Sequence, residues 1–171
     1  MKKAAALILA LCLLSACACA ENTAMELNWA DTEEAAAAYP GSFRPVATTG
    51  LLMYVPDSFA AQEITEEQEE QGIILLLKNG QNAAAAVYWI PLDGMDAEEY
   101  LARTGAADPE PVMVNGLAGF RFEGESDGTK TVSILYPFDE GGTVLIFTCG
   151  PMEDEAFRPA AEVMLASVQE E

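Results

Sequence analysis

Histidine is missing from the chain altogether, and that single absence removes most of the common catalytic sets. Ser-His-Asp and Cys-His arrangements need an imidazole to take the proton of the nucleophile. A zinc site without histidine would have to be built from carboxylates and one thiolate, which is unusual. Cysteine is nearly as scarce: Cys12, Cys17 and Cys19 crowd near the start, leaving Cys149 alone in the body of the chain. That excludes a disulfide framework. With no base to make a thiolate, Cys149 in "TVLIFTCG" reads as a small buried hydrophobe at a strand end. Basic residues are few. From Glu21 onward there are six, at 44, 78, 103, 121, 130 and 158, against 28 Asp or Glu, a net charge of −22. Nucleic acid and charge-driven docking on anionic lipid are disfavoured as partners, since both draw their affinity from basic patches. Neither GxxxxGK nor GxGxxG occurs in a strand-to-helix setting, so no phosphate-cradling loop is written here.

What is present begins with an export signal. Lys2 and Lys3 form a short positive segment, and "AAALILALCLL", Ala4 to Leu14, is an apolar run too short to cross a ~30 Å hydrocarbon core as a helix. Residues 1–20 therefore read as a signal peptide. Two cleavage sites overlap. "ACA" at Ala18 to Ala20 puts small residues three places and one place before a cut, which would free a soluble protein starting at Glu21. "LSAC", Leu14 to Cys17, resembles the bacterial lipobox at all four positions, which implies a signal of residues 1–16 and acylation of Cys17. The reading favours the lipid: the protein is extracytoplasmic and meets the membrane only through an anchor at Cys17, the alternative being secretion after Ala20.

About 150 residues then remain, the ordinary size of one domain. An N-terminal helical segment, 21–42, is expected from "WADTEEAAAAYPG", whose acids suit a helix N-terminus and whose Pro40-Gly41 stops it. An α+β domain is expected over 43–171. "LLMYVP" from Leu51 reads as a strand ended by Pro56, and "SFRPVAT" as a weaker one because Pro45 lacks an N–H. Asn79-Gly80 favours a tight hairpin between Ile73–Leu77 and Ala83–Ile90, and Asn115-Gly116 repeats the device. Beyond it, Ala118, Phe120 and Phe122 alternate with Gly119, Arg121 and Glu123, predicting one apolar inward face. "SDGTK" and "FDEGG" lead into strands from Thr131 and Thr143, completing an antiparallel meander, with Val132, Ile134 and Tyr136 on one face. A crossing helix follows Asp96 as N-cap, with Glu99 three residues on and Gly105 as C-terminal cap. In the last helix Phe157, Ala161, Met164, Leu165 and Val168 make one stripe that lies on the sheet. Pro159 fits only in the first turn, so regular helix begins near Arg158.

The order of "YVPDSF", a hairpin, a crossing helix, "VNGLAGFRFEG", two further strands and "AAEVMLASV" resembles the PsbP-like fold of extrinsic photosystem subunits and their bacterial lipoprotein relatives, over about Phe43 to Val168. "LNWAD", Leu27 to Asp31, is similar to the start of uncharacterised exported proteins of anaerobic bacteria. The matching motifs are turns and core positions, so the resemblance carries no functional residue across. It implies a single α+β domain, an antiparallel meander with a crossing helix and a C-terminal helix on the sheet, that acts as a binding or assembly factor.

The expectation is thus a non-enzymatic envelope protein that binds or scaffolds another envelope or extracellular protein, with no catalytic residue and no cofactor. The alternative is a carboxylate hydrolase acting on extracellular glycans, which needs two acids across a cleft; acids are so abundant that none is singled out. Glu66, Glu69 and Glu70 in "EITEEQEEQG" share one side of a helical turn and are the calcium candidates, though no D-x-D-x-D-G loop supports them. A charge run of this kind otherwise faces water. Tyr88, Trp89 and Tyr100 are candidates for a ligand groove, but Tyr88 and Trp89 are neighbours on one strand and point to opposite faces. Trp29, outside the sheet, is the more interesting aromatic, the alternative being that it simply docks the N-terminal helix.

Overall fold

The computed structural model describes residues 24–80, 83–126, 128–138 and 142–171. In chain order its elements are β1 (Met25–Leu27), α1 (Trp29–Ala36), β2 (Gly41–Pro45), β3 (Leu51–Pro56), β4 (Ala60–Ala61), α2 (Glu66–Glu70), β5 (Ile73–Lys78), β6 (Ala84–Pro91), α3 (Ala97–Thr104), β7 (Ala107–Val114), β8 (Leu117–Ser126), β9 (Thr129–Phe138), β10 (Thr143–Gly150), α4 (Arg158–Ala166) and β11 (Gln169–Glu170). The larger sheet runs β1-β7-β8-β9-β10-β6-β5-β4, and a smaller one runs β11-β3-β2. The expected meander is β7 to β10. Every pairing is antiparallel except that of β1 with β7. The N-terminal segment 21–42 therefore carries a strand as well as a helix, and β1 builds it into the main sheet.

Helix α3 carries the chain from β6, on one side of β10, across to β7. Its ends are set locally: Asp96 Oδ1 accepts the Glu99 N–H at 2.7 Å, and Gly105, at φ +72°, donates its N–H to Leu101. Pro159 lies in the first turn of α4, where no helical N–H is lost. Asn115 and Gly116, at φ +47° and +88°, join paired residues Val114 and Leu117 in a two-residue turn whose twist suits a hairpin.

Asn79-Gly80 behaves otherwise, and the expected tight turn is not formed. Lys78 pairs with Ala84, so the connection spans residues 79–83. The Asn79 N–H donates to the Ala83 carbonyl at 3.0 Å, and Asn79 Oδ1 accepts the Ala83 N–H at 3.1 Å. The side chain closes a wider loop from within, which a two-residue turn has no room for.

Both faces of the larger sheet are used. On one, Val132, Ile134, Tyr136, Leu145, Phe147 and Cys149 are buried beneath α4 and the smaller sheet, against Met53, Val55, Ala161, Met164 and Leu165. On the other, Leu135, Val144 and Ile146 pack under α3 with Leu92 and Leu101. Strand β8 keeps the alternation expected at Phe120 and Phe122, although Ala118 is exposed. Phe120 and Phe122 face the α3 layer, while Arg121 turns toward α4 and pairs with Glu162 at 2.7 Å. Gly119 is buried, and a Cβ there would come within 2.4 Å of the Leu135 carbonyl oxygen, so only glycine fits. Arg121 is thus half-buried against α4, while Glu123 and Glu125 stay exposed.

Candidate functional site

Helix α3 covers only part of its sheet face. It sits over the row Tyr88, Ile146, Leu135, Phe120, one residue from each of β6, β10, β9 and β8. Two positions along each strand comes the row Ala86, Thr148, Ser133, Phe122, and beyond that Thr131 beside Gly124. Apart from Phe122 these side chains are small or hydroxylic. The result is a groove of 310 Å³ between the C-terminal end of α3 and the open half of the sheet. Its walls are Tyr88, Tyr100, Phe122 and the turn Thr104–Ala106, and its floor is Thr131, Ser133, Ile146 and Thr148. That volume is at the small end of the ~300–1,000 Å³ typical of ligand pockets.

The floor is polar without being charged. Ser133 Oγ and Thr148 Oγ1 lie 2.8 Å apart across the β9–β10 pair and share one hydrogen bond, in which either hydroxyl can donate. Burial pushes the phenols of Tyr88 and Tyr100 above their ordinary pKa, so both rings stay neutral at physiological pH. Glu125, exposed at the rim, is the one charged residue of the lining, and no Lys or Arg contributes. A nucleophile with a partnered base is not assembled in the groove, and a glycosidase's two facing carboxylates are not found in its lining.

The sequence candidates are placed as follows. Tyr88 and Tyr100 come together in the groove, while Trp89 turns to the other face and packs edge-on to Phe138, centroids 5.3 Å apart. Trp29 docks α1: it packs edge-on to Phe43 and tilted against Tyr54, each 5.0 Å away. Cys149 is fully buried, and desolvation aided by the nearby Glu162 charge pushes its thiol up to about 12, which makes it inert as a nucleophile. Glu66, Glu69 and Glu70 sit exposed on the five-residue helix α2, whose start is fixed by a Thr65–Gln68 capping box. Among the described residues no three His, Cys, Asp or Glu side chains gather to hold a metal. Cys17 and both cleavage sites lie outside the described residues, as does the whole segment 1–20. No described helix is long and apolar enough to cross a membrane. Sequence reasoning missed Phe122, Thr131, Ser133 and Thr148 as groove residues. The one available signal was the second face of β9, where Ser133 alternates with the core positions Val132 and Ile134.

No protein-family model and no curated protein sequence matches the chain. Solved structures do. A crystal structure of a Bacteroides thetaiotaomicron protein is 13% identical, with a TM-score of 0.48; the match covers 77% of this chain and 48% of that one. The solution structure of PsbP from the cyanobacterium Synechocystis, CyanoP, is 13% identical with a TM-score of 0.54, covering 77% of this chain and 94% of CyanoP. At such identity the likeness concerns architecture alone, and the chain has a PsbP-like α+β fold.

Proposed function

We propose that this is an exported, non-enzymatic binding protein of the bacterial envelope, held at the membrane by acylation of Cys17, and that it engages its ligand or partner in the groove beside α3. The observation that carries the reading is the half-covered sheet face. Tyr88, Tyr100 and Phe122 stand over a hydroxyl floor with space between them, and no reactive group lines that space. Aromatic walls with a few polar groups are the ordinary make-up of a binding site. The glycan hydrolase gains no support from it, since Glu125 is the lone acid of the lining.

The test is a capture experiment from envelope extract with the wild-type protein and with Phe122→Ala, run at several salt concentrations. A partner that is recovered by the wild type and lost with the variant is the expected result. Recovery of nothing above background, or equal recovery by both, counts against the groove. Turnover of any substrate in a panel of glycans counts against the non-enzymatic part. Anchoring is tested separately: Cys17→Ser is expected to move the protein from the detergent phase to the medium, whereas an intact mass beginning at Glu21 refutes acylation.

A further inference from the structure

Resting on the reading of the groove as a binding site, we propose that its occupant is a small organic ammonium ion, quaternary or protonated, seated among the aromatic walls. Three aromatic side chains from three separate elements converge there: Tyr88 from β6, Tyr100 from α3 and Phe122 from β8. All three pack against the smaller cluster under α3, yet each is only partly buried, which leaves ring surface to the groove. The face of an aromatic ring is electron-rich and attracts a cation, more strongly as water is excluded.

Charge points the same way. The lining holds no Lys or Arg, Glu125 stands at its rim, and the chain as a whole carries a net charge of −20. Such a field concentrates cations at the surface and repels anions. A sugar would ask for amide, guanidinium or paired carboxylate groups to hold its hydroxyls, and the lining supplies none of these. A trimethylammonium head, by contrast, needs no hydrogen-bond donor from the protein, and the hydrogen-bonded Ser133–Thr148 pair gives it an uncharged floor.

The experiment is a calorimetric titration of the purified protein with choline, beside choline's neutral carbon isostere, with the tyrosine ring resonances followed by NMR. Choline is expected to bind, to shift the rings of Tyr88 and Tyr100, and to bind at least about tenfold more tightly than the isostere. High salt weakens it. Tyr100→Phe keeps the affinity within about threefold, while Tyr100→Ala lowers it about tenfold. Glu125→Gln, at an exposed position that does not threaten folding, weakens choline a few-fold and leaves the isostere unchanged. Equal binding of choline and isostere overturns the ammonium assignment while keeping the groove as a site for neutral ligands. Binding of neither, or choline binding untouched by both Tyr100→Ala and Glu125→Gln, overturns it as well, and the binding reading then stands or falls on the capture experiment alone.

Discussion

Asn115 ties the start of α1 to the end of α4, and its replacement is a sharp test of the packing. Its Oδ1 accepts the Trp29 N–H at the start of α1 at 2.7 Å, and its Nδ2 donates to the carbonyls of Ala166 and Val168 at the end of α4, both at 2.9 Å. Its own N–H donates to Leu27 in β1 at 3.0 Å. The first three bonds belong to the side chain and contribute about 1 kcal/mol each, and alanine at φ +47° adds about 1 kcal/mol of strain, so Asn115→Ala costs about 4 kcal/mol. Asn115→Gly relieves the strain and loses only the bonds, about 3 kcal/mol. For a domain near 150 residues, 1 kcal/mol moves Tm by about 2–4 °C, so the alanine variant is expected to melt roughly 10 °C lower. Urea denaturation followed by tryptophan fluorescence measures both variants, since Trp29 sits at the junction. An Asn115→Gly protein within 1 kcal/mol of wild type refutes the bridge, and equal loss in the two variants refutes the strain term.

Gly119→Ala forces a Cβ against the Leu135 carbonyl at 2.4 Å and is expected to cost about 2 kcal/mol or more in the same assay. The Tyr136 hydroxyl is buried with no hydrogen-bond partner among the described residues, so Tyr136→Phe is expected to leave stability unchanged or raise it by about 1 kcal/mol; a loss of that size refutes the orphan. Cys149 has a raised folded-state pKa, about 12, so the unfolded chain gives up this proton first as pH climbs past roughly 8.5. The stability it contributes is whole below that pH and declines toward 12, by at most about 1.4 kcal/mol per pH unit. Denaturation curves of wild type and Cys149→Ala between pH 8 and 10 check it, the variant falling less steeply. Sodium chloride is expected to raise Tm by screening like charges, of which one ion pair among the described residues, Arg121–Glu162, relieves little. Calcium at matched ionic strength adds nothing if Glu66, Glu69 and Glu70 only face water, and a calcium-specific rise refutes that.

The parts of the fold that could be read from the sequence are those fixed by neighbouring residues. Asp96 and Gly105 write both ends of α3 into a dozen residues, and Asn115-Gly116 writes the β7–β8 turn, because caps and two-residue turns are local chemistry. Asn79-Gly80 carries the same signature yet closes a longer loop, since the asparagine side chain can replace the backbone as hydrogen-bond partner. Strands β1 and β11 left no trace. They are three and two residues long, and pairing by backbone alone has no side-chain pattern. The groove was half legible: alternation separated Tyr88 from Trp89, but Ser133 and Thr148 read as ordinary strand residues until α3 proved to cover only part of the face above them.

The position of β11 bears on how the chain comes to be folded. Strand β3 is the middle of the smaller sheet, and one of its two neighbours is Gln169–Glu170, almost the last residues of the sequence. Helix α4, which seals the main core, comes just before it, and the Asn115 bridge spans both ends of the chain. A nascent polypeptide that still lacks Arg158–Glu171 has a bare apolar sheet face and no way to close it. Contacts so distant in sequence form slowly, after the local hairpins. The apolar face of the larger sheet therefore closes only once Arg158–Glu171 has joined it, so this segment sets when the native packing can form.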